Sequence, residues 1–170
     1  MKDLFKNPRN LTFLGVMFGL SVVLLFATMI PGFGASIAVV MFLPTMLTGI
    51  IKGPKAGWLM GTAMGIVIMI RAMTMPMSIL DPLFINPLVS VVPRMFIGVV
   101  AYWVYALIVR DSKSTGRIAT AGAVAGAMGM ITNTVLVMSA LYLFYAEKIT
   151  ELMGIGFKVL LIGIISSSAI

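Results

Sequence analysis

The sequence predicts an all-α integral membrane protein, a bundle of six transmembrane helices in a single domain over residues 1–170, with its N-terminus in the cytoplasm. Two observations indicate the membrane. The chain is 61% hydrophobic with a mean hydropathy of +1.13, and only 10% of its residues are charged, whereas a soluble domain carries roughly 25%. Its apolar residues also fall into repeated long runs, of which a signal peptide would explain only the first.

The predicted spans follow these apolar runs and the turn residues between them. They cover residues 11–30, 36–51, 56–73, 91–109, 118–145 and 157–170. Turn-forming Pro and Gly residues at 31–34 separate the first two spans, and a basic turn at 52–55 ends the second. The stretch 74–90 contains three prolines, so we predict an ordered loop with short turns there. A polar loop at 110–117 precedes the fifth span.

The last two spans are irregular in length. The fifth run is longer than one bilayer crossing requires, so its helix must tilt, bend or protrude from the membrane. Glu147, Lys148 and Glu151 then predict another loop. The sixth run is short for a span and has no polar flank after it, so we expect this helix to continue beyond residue 170.

The Lys and Arg residues of the short loops orient the bundle, because cytoplasmic loops carry more of them. With six spans, eight of these residues share the side of the N-terminus and four lie on the other side. The eight are Lys2, Lys6, Arg9, Lys52, Lys55, Arg110, Lys113 and Arg117. This distribution places the N-terminus in the cytoplasm and the loop 74–90 outside. It also explains the formal net charge of +7 better than nucleic-acid binding does.

Several chemistries are excluded by the residue types present. The chain has no Cys and no His, which removes disulfides, thiolate nucleophiles, imidazole bases and the usual zinc ligands. It shows no phosphate-binding loop and no hydrolase or metalloprotease motif. If the protein moves a solute uphill, another subunit must therefore hydrolyse the ATP.

Small residues recur every four positions in three of the predicted helices. They are Gly15 and Gly19 in the first, Gly57, Gly61 and Gly65 in the third, and Ala121, Ala125 and Gly129 in the fifth. Lipid provides no hydrophobic drive for helices to associate, so such stripes permit the close backbone approach that holds a bundle together. For the third and fifth helices we predict internal packing, whereas the Gly15 and Gly19 stripe could equally dock another membrane subunit.

Charged side chains gather at the predicted outer mouth of the bundle. Arg71 ends the third span, Asp81 lies in the loop, and Arg94 follows Pro93 at the start of the fourth span. Arg94 could pair with Asp81 or donate to loop carbonyls. Alternatively it could bind an anionic or carbonyl-rich ligand, since a guanidinium holds a carboxylate through two parallel hydrogen bonds. For Arg71 the alternatives are snorkelling and ligand binding.

The predicted spans contain no Asp or Glu, which argues against a proton pump or an ion-coupled carrier. Asn133 is the only amide deep within a predicted helix. An unpaired amide there would be costly, so Asn133 either bonds across to a second helix or faces a cavity and contacts ligand.

Three features of the sequence resemble one family of membrane proteins. They are Gly53-Pro54-Lys55-Ala56-Gly57 at the start of the third span, the segment 81–94 (DPLFINPLVSVVPR) leading into 95–98, and the small pair Gly15 and Gly19. The chain resembles the substrate-binding S component of energy-coupling factor (ECF) vitamin transporters. Within that family it is most similar to the pantothenate group, on the Pro-Arg segment and GPKAG.

The resemblance implies a fold of the ECF S-component type, in which six helices enclose one vitamin near the extracellular face of a bacterial cell membrane. It implies substrate-binding roles for Arg71, Asp81, Asn86, Arg94 and Asn133, and no cofactor or metal in this chain. Gly15 and Gly19 would dock onto a transmembrane coupling subunit, and two cytoplasmic ATPase subunits, with their ATP and Mg, would drive it. The S component then topples in the membrane to carry its ligand inward.

The same resemblance favours pantothenate as the substrate, and its carboxylate would make Arg71 or Arg94 a sensible partner. Hydroxymethylpyrimidine or pyridoxine, cobalamin and riboflavin stay open. A stand-alone passive carrier or channel would need a continuous polar path, which the sequence does not show, and no catalytic constellation supports a membrane enzyme.

Overall fold

The computed structural model describes residues 7–28, 40–76, 81–110 and 114–153, with side chains of the last segment through Tyr145. The helices are α1 (Pro8–Ala27), α2 (Leu43–Lys52), α3 (Pro54–Thr74), α4 (Pro87–Ser90), α5 (Val92–Val109) and α6 (Thr115–Met153), with a 3₁₀-helix at Asp81–Ile85 between α3 and α4. No strand occurs among these residues, and the prediction of an all-α fold is confirmed for them.

Within the described residues, four stretches of helix are long and apolar enough to cross a bilayer, judged by length and composition alone. They are Pro8–Ala27, Pro54–Thr74, Pro87–Val109 and Thr115–Tyr145. The predicted second span appears as the ten-residue α2, and its first residues, 36–39, lie outside the described part of the chain. The predicted sixth span, 157–170, lies outside it as well.

Proline starts the helices and glycine separates two of them. Each helix from α1 to α5 has a proline at its first or second position, where the missing N–H costs no intrahelical bond. Only Gly53 lies between α2 and α3, and its φ of 93° is a conformation that residues with a Cβ rarely adopt. The sequence Lys52-Gly53-Pro54 therefore reverses the chain in a single residue.

Helix α6 is longer than predicted at its C-terminal end. Its 39 residues span about 58 Å at 1.5 Å per residue, well beyond the bilayer core. The predicted loop at Glu147, Lys148 and Glu151 is wrong, because the backbone is helical through Met153. The segment contains strong helix formers and no Gly or Pro before Gly154, and charge alone does not end a helix.

The centre of the bundle is a contact between the backbones of α3 and α5. A Cβ added to Gly57 would lie 2.8 Å from the Gly98 carbonyl carbon, one added to Gly61 would lie 2.7 Å from that of Arg94, and one added to Gly65 would lie 2.7 Å from the Val91 Cα. These separations leave no room for a side chain. The three glycines therefore line up against successive turns of α5, as the prediction of internal packing requires.

The small residues of α6 pack internally too, whereas those of α1 do not. Ala121 and Ala125 are fully buried, and a Cβ on Gly129 would lie 3.4 Å from the Ile97 carbonyl oxygen. By contrast, a Cβ on Gly15 or Gly19 would meet nothing within 4 Å. The stripe on α1 is thus open in the described part of the chain.

Helix α1 is fastened at its N-terminal end by Lys52 of α2. The Lys52 Nζ donates to the Asn10 Oδ1 at 2.8 Å and lies 5.3 Å from the centre of the Phe13 ring, a cation–π distance. This contact leaves the Gly15 and Gly19 face of α1 uncovered.

We predict that Gly61→Ala destabilises the protein by about 1–3 kcal/mol, the usual cost of overpacking a close contact. The added Cβ must push α3 away from the Arg94 backbone. The measurement is the thermal unfolding midpoint in detergent. Gly122→Ala is the matched control, because a Cβ on Gly122 meets nothing within 4 Å. Equal midpoints for the two variants would contradict the packing described here.

Candidate ligand-binding site

A cavity of about 260 Å³ opens at the end of the bundle where α1 and α3 terminate. Its walls combine apolar side chains with three charged groups. The lining residues are Leu25, Thr28, Met41, Ile68, Arg71, Asp81, Phe84 and Arg94. The last turns of α1 and α3, the first turn of α5 and the 3₁₀-helix all meet there, so the charged cluster predicted from the sequence is brought together in one place.

Arg71 and Asp81 form an ion pair in this cavity. The Arg71 Nη2 donates to the Asp81 Oδ1 at 2.6 Å, and the two side chains are 17% and 7% exposed. Asp81 is the first residue of the 3₁₀-helix, which folds back over the end of α3. The Arg71 Nε is buried without a hydrogen-bond partner among the described residues. The side chain as a whole lines the cavity and is 17% exposed, so part of the guanidinium faces the open space.

Arg94 is held by backbone carbonyls and has no carboxylate partner among the described residues. Its Nη1 donates to the Val89 and Ser90 oxygens at 2.8 and 2.9 Å, and the guanidinium carbon lies 5.2 Å from the centre of the Phe84 ring. Of the two structural alternatives left open for Arg94, the structure therefore shows carbonyl bonding, while Asp81 pairs with Arg71. The Arg94 side chain is only 6% exposed.

The charges of the cavity wall do not cancel. Two guanidinium groups and one carboxylate line it, which leaves a net charge of +1. Asp81 is the only carboxylate whose side chain lies in the described part of the chain. A buried cation without a counter-ion is costly, and the low dielectric that makes it costly also strengthens its attraction to an anion. The cavity is therefore suited to a small ligand with one negative charge.

Asn86 does not line this cavity, and both ends of its amide are occupied. Its Oδ1 accepts from the Leu88 N–H at 3.0 Å, which caps α4, and its Nδ2 donates to the Tyr145 hydroxyl at 3.3 Å. Since α4 supplies the carbonyls that hold Arg94, Asn86 is placed to support the site from outside it.

Asn133 also lies outside the cavity lining. Its Oδ1 is buried without a hydrogen-bond partner among the described residues. It stands one helical turn from Gly129 and one from Val137, which packs with Leu83 and Val89. No hydrogen bond from another helix to the Asn133 Oδ1 occurs among the described residues, and ligand contact by Asn133 stays a prediction.

The sequence reasoning missed Phe84 and Thr28 as lining residues. Phe84 follows Asp81 by three positions, and in a 3₁₀-helix such residues lie one above the other. The three-residue spacing of Asp81 and Phe84 was therefore present in the sequence. It places the two side chains on one face only if the segment is first recognised as a 3₁₀-helix. Thr28 follows the last apolar turn of α1, where a hydroxyl gives no distinctive signal.

Comparison with known protein families gives one decisive match. Residues 9–170 match the family described as ECF transporter, substrate-specific component. The chain belongs to this family. It is therefore a substrate-specific, vitamin-type subunit of a transporter and not an enzyme, and the resemblance seen in its motifs is confirmed at the level of the S component. No curated protein sequence matches the chain significantly.

Among the described residues, no group of three or more acidic, His or Cys side chains occurs. The wall of the candidate cavity presents two guanidinium groups, one carboxylate and a mainly apolar surface.

We predict that Asn86→Ala lowers the stability of the S component by about 1 kcal/mol, the typical loss on removing a helix cap. Asn86→Ser keeps a capping oxygen and loses only the bond to Tyr145, so it should match Tyr145→Phe and be milder than Asn86→Ala. Thermal unfolding midpoints of the three variants in detergent make the comparison. If Asn86→Ser were as unstable as Asn86→Ala, the cap would not be the stabilising contact.

Proposed function

We propose that this S component binds pantothenate in the cavity between Arg71 and Arg94 and delivers it to an ATP-driven ECF module. The observation that carries the proposal is Arg94, a nearly buried cation that lines the cavity and has no carboxylate partner among the described residues. A ligand carboxylate supplies the missing counter-ion.

Charge and size both favour pantothenate over the other vitamins considered. Pantothenate carries one carboxylate, whereas hydroxymethylpyrimidine, pyridoxine and riboflavin have none. Cobalamin is many times larger than a cavity of about 260 Å³. That volume lies just below the roughly 300–1,000 Å³ typical of ligand pockets, which fits a small, flexible molecule.

The cavity walls offer partners for the carboxylate and for the branched apolar portion of this ligand. The carboxylate would accept hydrogen bonds from the two guanidinium groups that line the cavity. The branched apolar portion of pantothenate would pack against Leu25, Ile68 and Phe84. In this proposal Asn86 contributes by holding α4 in place, and ligand contact by Asn133 stays a prediction.

The loop charges support an orientation of the protein in the membrane. The basic residues Arg9, Lys52 and Lys55 lie at the opposite end of the bundle from the cavity. Because cytoplasmic loops are rich in Lys and Arg, we place the cavity at the extracellular side of a bacterial plasma membrane, where an importer receives its substrate.

We further propose that the open face of α1, which carries Gly15 and Gly19, docks onto the ECF module. Gly15 and Gly19 are exposed and have free space where a Cβ would project, so an apolar helix of a coupling subunit can approach them closely. Two cytoplasmic ATPase subunits, with ATP and Mg bound, would supply the energy. An interaction of this kind would account for small residues on a face of α1 that the described part of the bundle leaves open.

We predict that Arg71→Ala and Arg94→Ala each weaken pantothenate binding by at least about 30-fold, because truncating a buried partner of a charge pair costs roughly 2–5 kcal/mol. Isothermal titration of the detergent-purified chain measures the affinity, and unfolding midpoints confirm that each variant folds. Arg9→Ala is the control, since Arg9 is exposed and distant from the cavity.

Titration with a second ligand tests whether the carboxylate itself is recognised. Pantothenol, in which an alcohol replaces the carboxylate, should bind the wild-type chain at least about tenfold more weakly than pantothenate. Unchanged affinity in both arginine variants, or equal affinity for the two ligands, would overturn the proposed carboxylate site.

We predict that Gly15→Leu with Gly19→Leu abolishes co-purification with the ATPase subunits and leaves pantothenate binding intact. The leucines project into space that the described bundle leaves empty, so the fold tolerates them while the docking face does not. Gly122→Leu is the matched control, because Gly122 of α6 is equally uncrowded. Full recovery of the ATPases with the double variant would exclude docking at this stripe.

A further inference from the structure

The position of Asp81 is fixed by the residues that follow it. Leu83 is almost fully buried in a cluster with Val89, Val137 and Leu141, and Phe84 stacks against the Arg94 guanidinium. The 3₁₀-helix is thereby anchored to α4, α5 and α6, and its first residue, Asp81, stays beside Arg71. The carboxylate is therefore held as part of the cavity wall.

This carboxylate does more than hold Arg71. It removes one of the two positive charges that would otherwise face the ligand, and it does so within the cavity, at 2.6 Å from the Arg71 Nη2. Thr28 is uncharged, and the other described lining residues are apolar. The net charge presented to a ligand therefore depends on three side chains alone among the described residues.

We propose that Asp81 is a built-in counter-ion that sets the cavity charge at +1 and so makes the site selective for monoanions over neutral and dianionic ligands. This inference rests on the proposed function only in taking the cavity as the ligand site. A neutral ligand leaves Arg94 without a counter-ion, and a dianion brings a second negative charge beside Asp81. Either mismatch is unfavourable because buried charges interact strongly and are poorly screened.

The charge of the cavity can be changed one step at a time. Asp81→Asn raises the net charge of the lining to +2, Arg71→Gln lowers it to zero, and the double variant restores +1 with neither original group present. The double variant is the matched control, because it carries both substitutions and should nevertheless keep the wild-type order of the probes, with weaker binding of each because Arg71 is gone.

The probes are acetamide, acetate and malonate, which carry zero, one and two negative charges. Each is titrated at constant ionic strength against the four detergent-purified proteins, and the rise of the thermal unfolding midpoint reports binding. General effects of the solutes on stability act on all four proteins alike, so only the order of the probes matters. Because none of the probes is a vitamin, the outcome is independent of whether pantothenate is the substrate.

We expect acetate to be the most effective probe for the wild type and the double variant. For Asp81→Asn, malonate should act at a concentration about tenfold below that of acetate. Arg71→Gln should lose its preference for acetate over acetamide. The same order of probes in all four proteins would overturn the inference. If Asp81→Asn fails to fold, the other two variants still test the inference. An Arg71→Gln protein that still prefers acetate over acetamide would contradict the charge count. A double variant that no longer prefers acetate would contradict it as well.

Discussion

The contact between the α3 and α5 backbones is the interaction on which the rest of the structure depends. Within a bilayer, apolar side chains gain nothing by leaving lipid, so helices are held by close packing and by hydrogen bonds. Gly57, Gly61 and Gly65 allow that packing, and the Ser90 hydroxyl adds a hydrogen bond to the Gly65 carbonyl at 3.0 Å. The same contact brings the C-terminal end of α3 beside the N-terminal end of α5, which places their two arginines in one cavity.

Among the described residues, the buried charged side chains Asp81 and Arg94 both lie at that end. Elsewhere the described helices present large apolar side chains outward, such as Val23, Leu107 and Leu143. Such an apolar surface can contact lipid in any orientation of the protein. The charged groups of the cavity, Arg71, Asp81 and Arg94, are enclosed by the 3₁₀-helix and α4. A carrier that reorients in the membrane must shield its ligand-binding charges in this manner, because an exposed guanidinium in lipid is costly.

Features that depend on helical periodicity were predictable from the sequence, and features that depend on chain reversal were not. The spacing of Gly57, Gly61 and Gly65 indicated internal packing because residues four apart share a face of any helix. Whether Asp81 pairs with Arg71 or Arg94 depends on how the 3₁₀-helix folds back, which no pattern specified. The end of α6 was misplaced because charged residues were read as a loop although they are good helix formers.

Native mass spectrometry of the wild-type S component, purified in detergent from cells supplied with pantothenate, tests the central claim most directly. The charge and volume of the cavity predict a single adduct with the mass of pantothenate. An adduct with the mass of an uncharged vitamin would contradict the account, as would a chain that stays without ligand in excess pantothenate. An adduct of another monocarboxylate would retain the charge argument and reject pantothenate as the substrate.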